Sequence, residues 1–207
     1  MSKLYDSEGL FEPYARAYGG YFALQRSGKE EPLTTHADHY NTNYAYGVAS
    51  YSKGNVFLSQ LRYVIGEDAF WKGMMQYYYD WRFKHPTLTD FKRVMEKESG
   101  LELDWYCEYW VGSTKAIDYA LKAAITQEGK TKVTLERAGY MPMPIDLVVT
   151  YTDGSTVNYY IPLRIMRGEK PAEEALYDRV ELQQAWPWTY ALYTQEVTGE
   201  QGKDIER

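Results

Sequence analysis

Two histidines lie three residues apart in the stretch His36-Ala37-Asp38-His39, with a carboxylate between them. On a helix this spacing would place both imidazoles on one face, and imidazole and carboxylate groups are ligands of catalytic zinc. The surrounding residues 30–43 are polar, lack helical periodicity and contain a proline, which predicts a loop. Zinc takes three or four protein ligands, and nothing nearby supplies a third. The sequence therefore predicts no metal site here.

The familiar catalytic signatures are absent from the sequence. It contains no HExxH zinc motif, no GxSxG nucleophile motif, no phosphate-binding loop and no nucleotide fingerprint. The single cysteine, Cys107, excludes an internal disulfide and a cysteine-based metal site, and we expect it to be buried. The residues that remain as candidates for chemistry are tyrosines.

Tyr46 and Tyr51 lie near the start of a predicted helix, in a stretch that also contains Gly47 and Gly54. Each glycine lowers helix propensity by roughly 1 kcal/mol relative to alanine, so we expect another backbone or a ligand to approach closely there. A phenol can donate a hydrogen bond to a substrate, but tyrosine is also common in cores and on surfaces. The residues alone leave both interpretations open.

The elements that position these tyrosines are predicted to be helices, because apolar residues recur at spacings of three and four. Thr87 is the expected N-cap of one helix, with Asp90 in the capping-box position and Pro86 just before it. The predicted helices cover residues 11–22, 44–65, 67–81, 88–98 and 103–110.

After about Gly112 the pattern changes to short segments rich in Val, Ile, Tyr and Thr, separated by turn residues. Asp153-Gly154 is the clearest predicted hairpin turn. The predicted strands cover 117–125, 132–137, 145–151, 156–161, 177–182 and 189–193. We therefore predict an α+β chain, with an all-helical subdomain at 1–113, a small β-sandwich-like domain at 114–195 and a polar tail at 196–207.

Charge and composition narrow the possible partners. Lysine and arginine number 23 against 29 acidic residues, and there is no basic stretch, which argues against nucleic acid. No apolar run approaches the ~20 residues of a membrane span. The 22 tyrosines and 6 tryptophans suit a dense core, a large contact surface or a sugar-binding platform.

The run Tyr51-Ser-Lys-Gly54 resembles the Y-x-K-G tyrosine motif of the gluzincin zinc aminopeptidases, the family of aminopeptidase N and leukotriene A4 hydrolase. The segments 58–73, 89–96 and 99–110 resemble the helices that follow this motif in the family. Gly139-Tyr-Met-Pro-Met-Pro144 and Ala185-Trp-Pro-Trp188 are similar to the small β domain after the catalytic domain. The resemblance covers nearly the whole chain.

The resemblance implies a fold and a role for each tyrosine. The helical part would be the second half of a thermolysin-like catalytic domain. In the family, zinc held by the histidines of HExxH and a downstream glutamate activates water, while a tyrosine stabilises the oxyanion of the tetrahedral intermediate. Tyr51 takes the place of that tyrosine, and Tyr46 matches a second tyrosine that lines the substrate site in some members.

The chain departs from the family at the metal. Glu8, in Asp6-Ser-Glu-Gly-Leu10, resembles the third zinc ligand, but its interval to Tyr51 is shorter than the family usually leaves. We therefore expect a C-terminal fragment of an aminopeptidase that is inactive alone. Zinc would belong to the intact parent and not to this chain. The expected partners are the missing N-terminal half and a peptide substrate, and an exposed aromatic face would favour self-association.

A non-catalytic function is the alternative. The family contains members degenerate at the metal site, and the abundant Tyr and Trp side chains could hold a glycan or a protein partner. An aromatic-rich binding module is the prediction that competes with the peptidase fragment.

Overall fold

The computed structural model describes residues 14–127, 130–172 and 176–198. Within these described residues six α-helices come first and six strands follow, so the predicted α+β class is confirmed. The helices are α1 (Ala15–Arg26), α2 (Asn43–Val48), α3 (Gly54–Ile65), α4 (Glu67–Trp81), α5 (Leu88–Ser99) and α6 (Asp104–Trp110). The strands are β1 (Tyr119–Gln127), β2 (Lys130–Arg137), β3 (Ile145–Thr150), β4 (Thr156–Ile161), β5 (Arg179–Leu182) and β6 (Leu192–Thr198).

The described residues form two compact units, and each unit combines two separate stretches of the sequence. Unit one consists of the described residues up to Tyr63 together with Tyr106–Thr114. Unit two consists of Val64–Trp105 and the described residues from Lys115 onward. The chain therefore passes between the units within α3, within α6 and after Thr114. The predicted domain boundary near residue 113 stays a prediction.

Unit one is built around α1, α2 and the N-terminal part of α3. Leu24, Ala45 and Ala49 form a fully buried cluster in it. Tyr21 packs against Trp110 with ring centroids 5.7 Å apart, and the Tyr106 hydroxyl donates to the Phe57 carbonyl oxygen at 2.6 Å. The last turns of α6 thus complete the core of this unit.

Unit two contains α4 and α5 and both sheets. The predicted capping box at Thr87 and Asp90 is present, and α5 ends at Gly100, whose φ of 72° is left-handed. One sheet has the order β1-β2-β6 and the other β3-β4-β5. The predicted turn at Asp153-Gly154 joins β3 to β4, with a φ of 83° at Gly154 that favours glycine. The sandwich arrangement of the two sheets stays a prediction.

Some predicted elements have shifted bounds, such as α1, which covers Ala15–Arg26 where the sequence predicted 11–22, and β1, which covers Tyr119–Gln127 where it predicted 117–125. Two further differences have a clear structural cause. The last strand runs over Leu192–Thr198, whereas the sequence predicted 189–193, and it continues past residue 196. Pairing with β2 decides its position, because all seven residues have partners in that strand. The Tyr44–Ile65 helix is also not one regular α-helix, since the five residues Ala49–Lys53 form a π-helical turn between α2 and α3. None of the helices in the described residues has the length and apolar character needed to cross a bilayer.

Candidate functional site

The π-helical turn Ala49–Lys53, here called the tyrosine turn, carries the central candidate residue. Thr42 caps the preceding helix, its hydroxyl accepting a hydrogen bond from the Ala45 amide at 3.1 Å. At the end of the turn the Gly54 amide donates to the Ala49 carbonyl oxygen, five residues earlier. This wider bond inserts one extra residue into the helix, and such π-turns occur frequently at functional sites.

Tyr51 points away from the core of its unit. Its side chain is 82 % exposed, more than that of Tyr46, which is 42 % exposed. The Tyr46 ring packs against Tyr40, with centroids 5.4 Å apart. Burial raises the pKa of the Tyr40 hydroxyl, with smaller contributions from Glu31 and Tyr46. The structure therefore puts both predicted site tyrosines on the surface of unit one, Tyr51 as the more accessible phenol.

Lys53 fixes the tyrosine turn to the interior of unit one. The sequence did not predict this structural role. Its side chain is fully buried, its ammonium lies 2.8 Å from Glu30 Oε1, and it donates to the Ser113 carbonyl oxygen at 2.9 Å. Burial raises the pKa of the Glu30 carboxyl, opposed by the hydrogen bond and charge of Lys53. The buried ion pair between Lys53 and Glu30 therefore fixes the chain two residues after the exposed phenol of Tyr51.

Glycine permits a close approach at this site, but not at the positions expected. A Cβ at Gly20 of α1 would lie 2.6 Å from Ser52 Oγ, so α1 packs directly on the tyrosine turn. Among the described residues, nothing lies within 4 Å of a Cβ at Gly47, and at Gly54 only the Ala49 carbonyl oxygen does, at 3.9 Å. The expected close approach of another backbone at Gly47 is therefore wrong and the contact at Gly54 is an ordinary one, whereas the approach of a ligand to these glycines stays a prediction.

The histidine pair lies in a short 3-10 turn, Ala37–His39. The two imidazoles are 5.3 Å apart between centroids, and His36 Nδ1 accepts a hydrogen bond from the Asp38 amide at 3.2 Å. His36 therefore serves as the N-cap of its own turn. The described residues bring no third ligand to this pair, since their one potential metal-binding group of three or more His, Cys, Asp or Glu lies elsewhere. Glu8 lies outside the described residues.

That group consists of Glu96, Glu102 and Asp104, whose carboxylate oxygens lie within 4.8 Å of one another. Local contacts account for all three. Glu96 accepts from the Leu103 amide at 3.0 Å, Glu102 accepts from the Asp104 amide at 3.1 Å, and Asp104 forms an ion pair with Lys92. These bonds begin α6, so the cluster has a structural explanation.

The comparisons with known proteins bear on the helical part of the chain. The family model described as the peptidase family M1 domain matches residues 4–110. That range contains the tyrosine turn, α1 to α6 and the histidine pair. No curated protein matches the chain.

Proposed function

Because this chain belongs to peptidase family M1, we propose that it contributes the oxyanion-stabilising residue, Tyr51, to a zinc-dependent aminopeptidase. Family membership assigns a metallopeptidase origin to the helical part. The observation that carries the proposal is that one π-helical turn contains both an exposed phenol, Tyr51, and a buried lysine, Lys53. An enzyme stabilises an oxyanion best with a donor that is held in place before the reaction begins.

Zinc does not fit the residues that are described. The sequence has no HExxH motif, and the exposed pair His36 and His39 lacks a third ligand among the described residues. We therefore assign no reaction step through the metal to this chain. In the proposed enzyme the zinc ligands lie on another polypeptide segment, the N-terminal half of the catalytic domain, which is the expected partner.

The chemistry left to this chain is positioning and hydrogen bonding. The Tyr51 hydroxyl would donate a hydrogen bond to the oxyanion formed when water attacks the N-terminal peptide bond. Loss of one such donor lowers turnover by about 100-fold or more. Tyr46, on the preceding helix, would line the peptide site, with its ring orientation fixed by Tyr40.

The test is complementation. The purified chain is assayed for zinc and for hydrolysis of aminoacyl-nitroanilides, alone and after mixing with an HExxH-bearing N-terminal segment from an M1 aminopeptidase. We expect no stoichiometric zinc and no turnover from the chain alone, and turnover in the mixture that Tyr51→Phe abolishes. Tyr44→Phe is the matched control, since Tyr44 is also exposed on the adjacent helix. Stoichiometric zinc with Tyr51-dependent turnover in the chain alone would contradict the fragment proposal.

An aromatic face on α4 supports the alternative, a non-catalytic binding module. Its members are spaced to lie on one side of the helix, and all are more than half exposed: Trp71, Met75, Tyr78 and Tyr79. The Arg82 guanidinium lies 5.9 Å and 5.7 Å from the centroids of the two tyrosine rings. Aromatic and arginine side chains are enriched at protein interfaces.

This face also supports self-association, and sedimentation velocity over a range of concentrations tests it. We expect reversible oligomers that Trp71→Gln with Tyr78→Gln shifts toward monomer. Leu121→Gln on β1, which is also exposed, is the control and should leave the distribution unchanged. A monomer at every concentration would contradict self-association of the chain.

A further inference from the structure

The exposed aromatic face of α4 continues into a charged residue at each end. Asp68, Trp71, Met75, Tyr78 and Arg82 follow one another at alternating intervals of three and four residues. Residues with this spacing lie along one side of a helix, and a stripe that repeats about every 3.5 residues is the pattern that packs against a second helix. These five residues are here called the α4 stripe.

Packing within unit two leaves the apolar part of the α4 stripe at the surface. The side of α4 that faces α5 is a different one, since a Cβ at Gly73 would lie 2.5 Å from Met95 Sδ. In the stripe, Trp71, Met75 and Tyr78 are between 51 % and 55 % exposed. Contiguous apolar residues at a surface mark interaction sites more often than single ones do.

The aromatic side chains of the stripe are held in place by their neighbours. The Trp71 indole N–H donates to a Glu67 carboxylate oxygen, and the Tyr78 and Tyr79 rings meet edge to face with centroids 5.7 Å apart. The Arg82 guanidinium lies over both of these tyrosine rings. Side chains that are ordered before association lose less entropy when a partner binds, so the stripe is a preformed surface.

The two ends of the stripe carry opposite charges. Asp68 lies in the first turn of α4, and Arg82 follows the last residue of the helix. They are 14 positions apart, or about 21 Å along a helix. Glu67 adds a second negative charge at one end, and Lys84 adds a second positive charge at the other.

This order of charges selects a partner and its direction. A partner of one charge sign would match one end of the stripe and be repelled by the other end. Two copies of α4 packed in parallel would place Asp68 against Asp68 and Arg82 against Arg82. Packed antiparallel about a two-fold axis near Met75, each copy brings its Asp68 to the Arg82 of the other. Such self-complementarity is what a two-fold symmetric interface requires.

We propose that the α4 stripe is the interface of a symmetric, antiparallel dimer of this chain. The proposal rests on the self-association proposed above for the same face, and adds the partner helix, its direction and the stoichiometry. A two-fold contact uses the stripe of both copies, so assembly stops at the dimer. A contact limited to one helix per chain is at the small end of specific interfaces, so we expect the dimer to dissociate reversibly.

Charge reversal tests the direction of packing, with sedimentation velocity of the full chain over a range of concentrations as the measurement. Asp68→Arg and Arg82→Asp each create two like-charge contacts across the antiparallel dimer, and each should raise its dissociation constant about tenfold. The double variant restores opposite charges at both ends and should recover most of the lost affinity. In a parallel dimer neither single variant would change the number of like-charge contacts.

Asp80→Arg is the matched control. Asp80 is also exposed on α4 but lies outside the stripe, and its replacement changes the net charge by as much as Asp68→Arg does. We expect the dissociation constant of Asp80→Arg to equal that of wild type.

Three outcomes overturn the proposal: oligomers larger than dimers at saturation, a double variant that dimerises as weakly as the single variants, or loss of the dimer when the HExxH-bearing N-terminal segment is added. The last would assign the stripe to that segment. A chain that stays monomeric at every concentration overturns both the dimer and self-association. It leaves the proposed role of Tyr51 intact, because turnover of the complemented mixture tests that role separately.

Discussion

Lys53 Nζ lies 2.8 Å from Glu30 Oε1, and both side chains are buried although they come from segments 23 residues apart in the sequence. The pair holds the loop before the histidines against the tyrosine turn. Replacing one member of a buried ion pair leaves an uncompensated charge, which is far more damaging than losing an exposed pair.

Lys53→Met is therefore expected to lower the free energy of unfolding by about 3–5 kcal/mol. Urea denaturation followed by circular dichroism measures the change. The control is Lys130→Met, which removes the partner of Glu196 in an exposed pair at 2.7 Å and should cost at most about 1 kcal/mol. Similar losses from the two variants would contradict the anchoring role of Lys53.

The capping box of α5 gives a pH dependence in acid. Hydrogen bonds from the Thr87 hydroxyl and amide lower the pKa of Asp90 below its ordinary value of 3.8. A lowered pKa in the folded state means stability that is present above pH 3.8 and lost as the pH falls through the folded-state pKa.

Asp90→Asn removes this contribution. We expect wild type to be more stable than Asp90→Asn at neutral pH, with the difference shrinking toward the acid end of a thermal-unfolding series. Asp80→Asn, at the C-terminal end of α4 and outside the capping box, is the control and should follow wild type. A difference that stays constant across the acid range would contradict this assignment.

Tyr119 makes the folding stability depend on pH in the alkaline range. Its hydroxyl donates to the Met143 carbonyl oxygen at 3.1 Å and accepts from the Met143 amide at 2.8 Å, and burial raises its pKa to about 12. A raised pKa in the folded state means stability that is complete below pH 10 and lost as the pH rises toward 12. Several buried tyrosines titrate late, so ultraviolet titration of the phenolates should show one late-titrating group fewer in Tyr119→Phe than in wild type.

Tyr119→Phe should also lower the free energy of unfolding at neutral pH by about 1–3 kcal/mol, because it strands both backbone groups of Met143. Tyr140→Phe, at a position that is 77 % exposed, is the control and should change stability little. If the two variants titrate and unfold alike, the hydrogen-bonding role of Tyr119 is wrong.

Alanine substitutions at two adjacent glycines of α1 should have different effects on the free energy of unfolding. Among the described residues nothing lies within 4 Å of a Cβ at Gly19, so Gly19→Ala should raise the free energy of unfolding by about 0.5–1 kcal/mol. Gly20→Ala places its methyl group against Ser52, and we expect it to be less stable than Gly19→Ala by on the order of 1–3 kcal/mol. Equal effects in denaturation would contradict direct packing of α1 on the tyrosine turn.

Local signals predicted much of this fold. The capping box at Thr87, the stop at Gly100 and the hairpin at Asp153-Gly154 all depend on residues a few positions apart, and these agree with the structure. The π-helical turn could not be predicted, because one extra residue changes the helical period too little to disturb the apolar pattern of residues 44–65.

The features that the sequence did not reveal depend on distant partners. A lysine two residues after Tyr51 is expected on the surface, and only the approach of Glu30 and Ser113 explains its burial. Asp146 and Asn158 are likewise polar residues in strands, which normally face solvent. Their side is covered only because the segment around Lys170 returns across it.

The division of unit one into two sequence segments constrains the order in which the protein can mature on the ribosome. The Tyr106 and Trp110 side chains that complete its core follow Tyr63 by 43 and 47 residues. At about 5–20 residues per second, translation of that interval takes on the order of 2–9 seconds. During this time α1, α2 and the tyrosine turn are already synthesised but lack their closing aromatic side chains, so the nascent chain presents apolar surface to chaperones until Trp110 emerges.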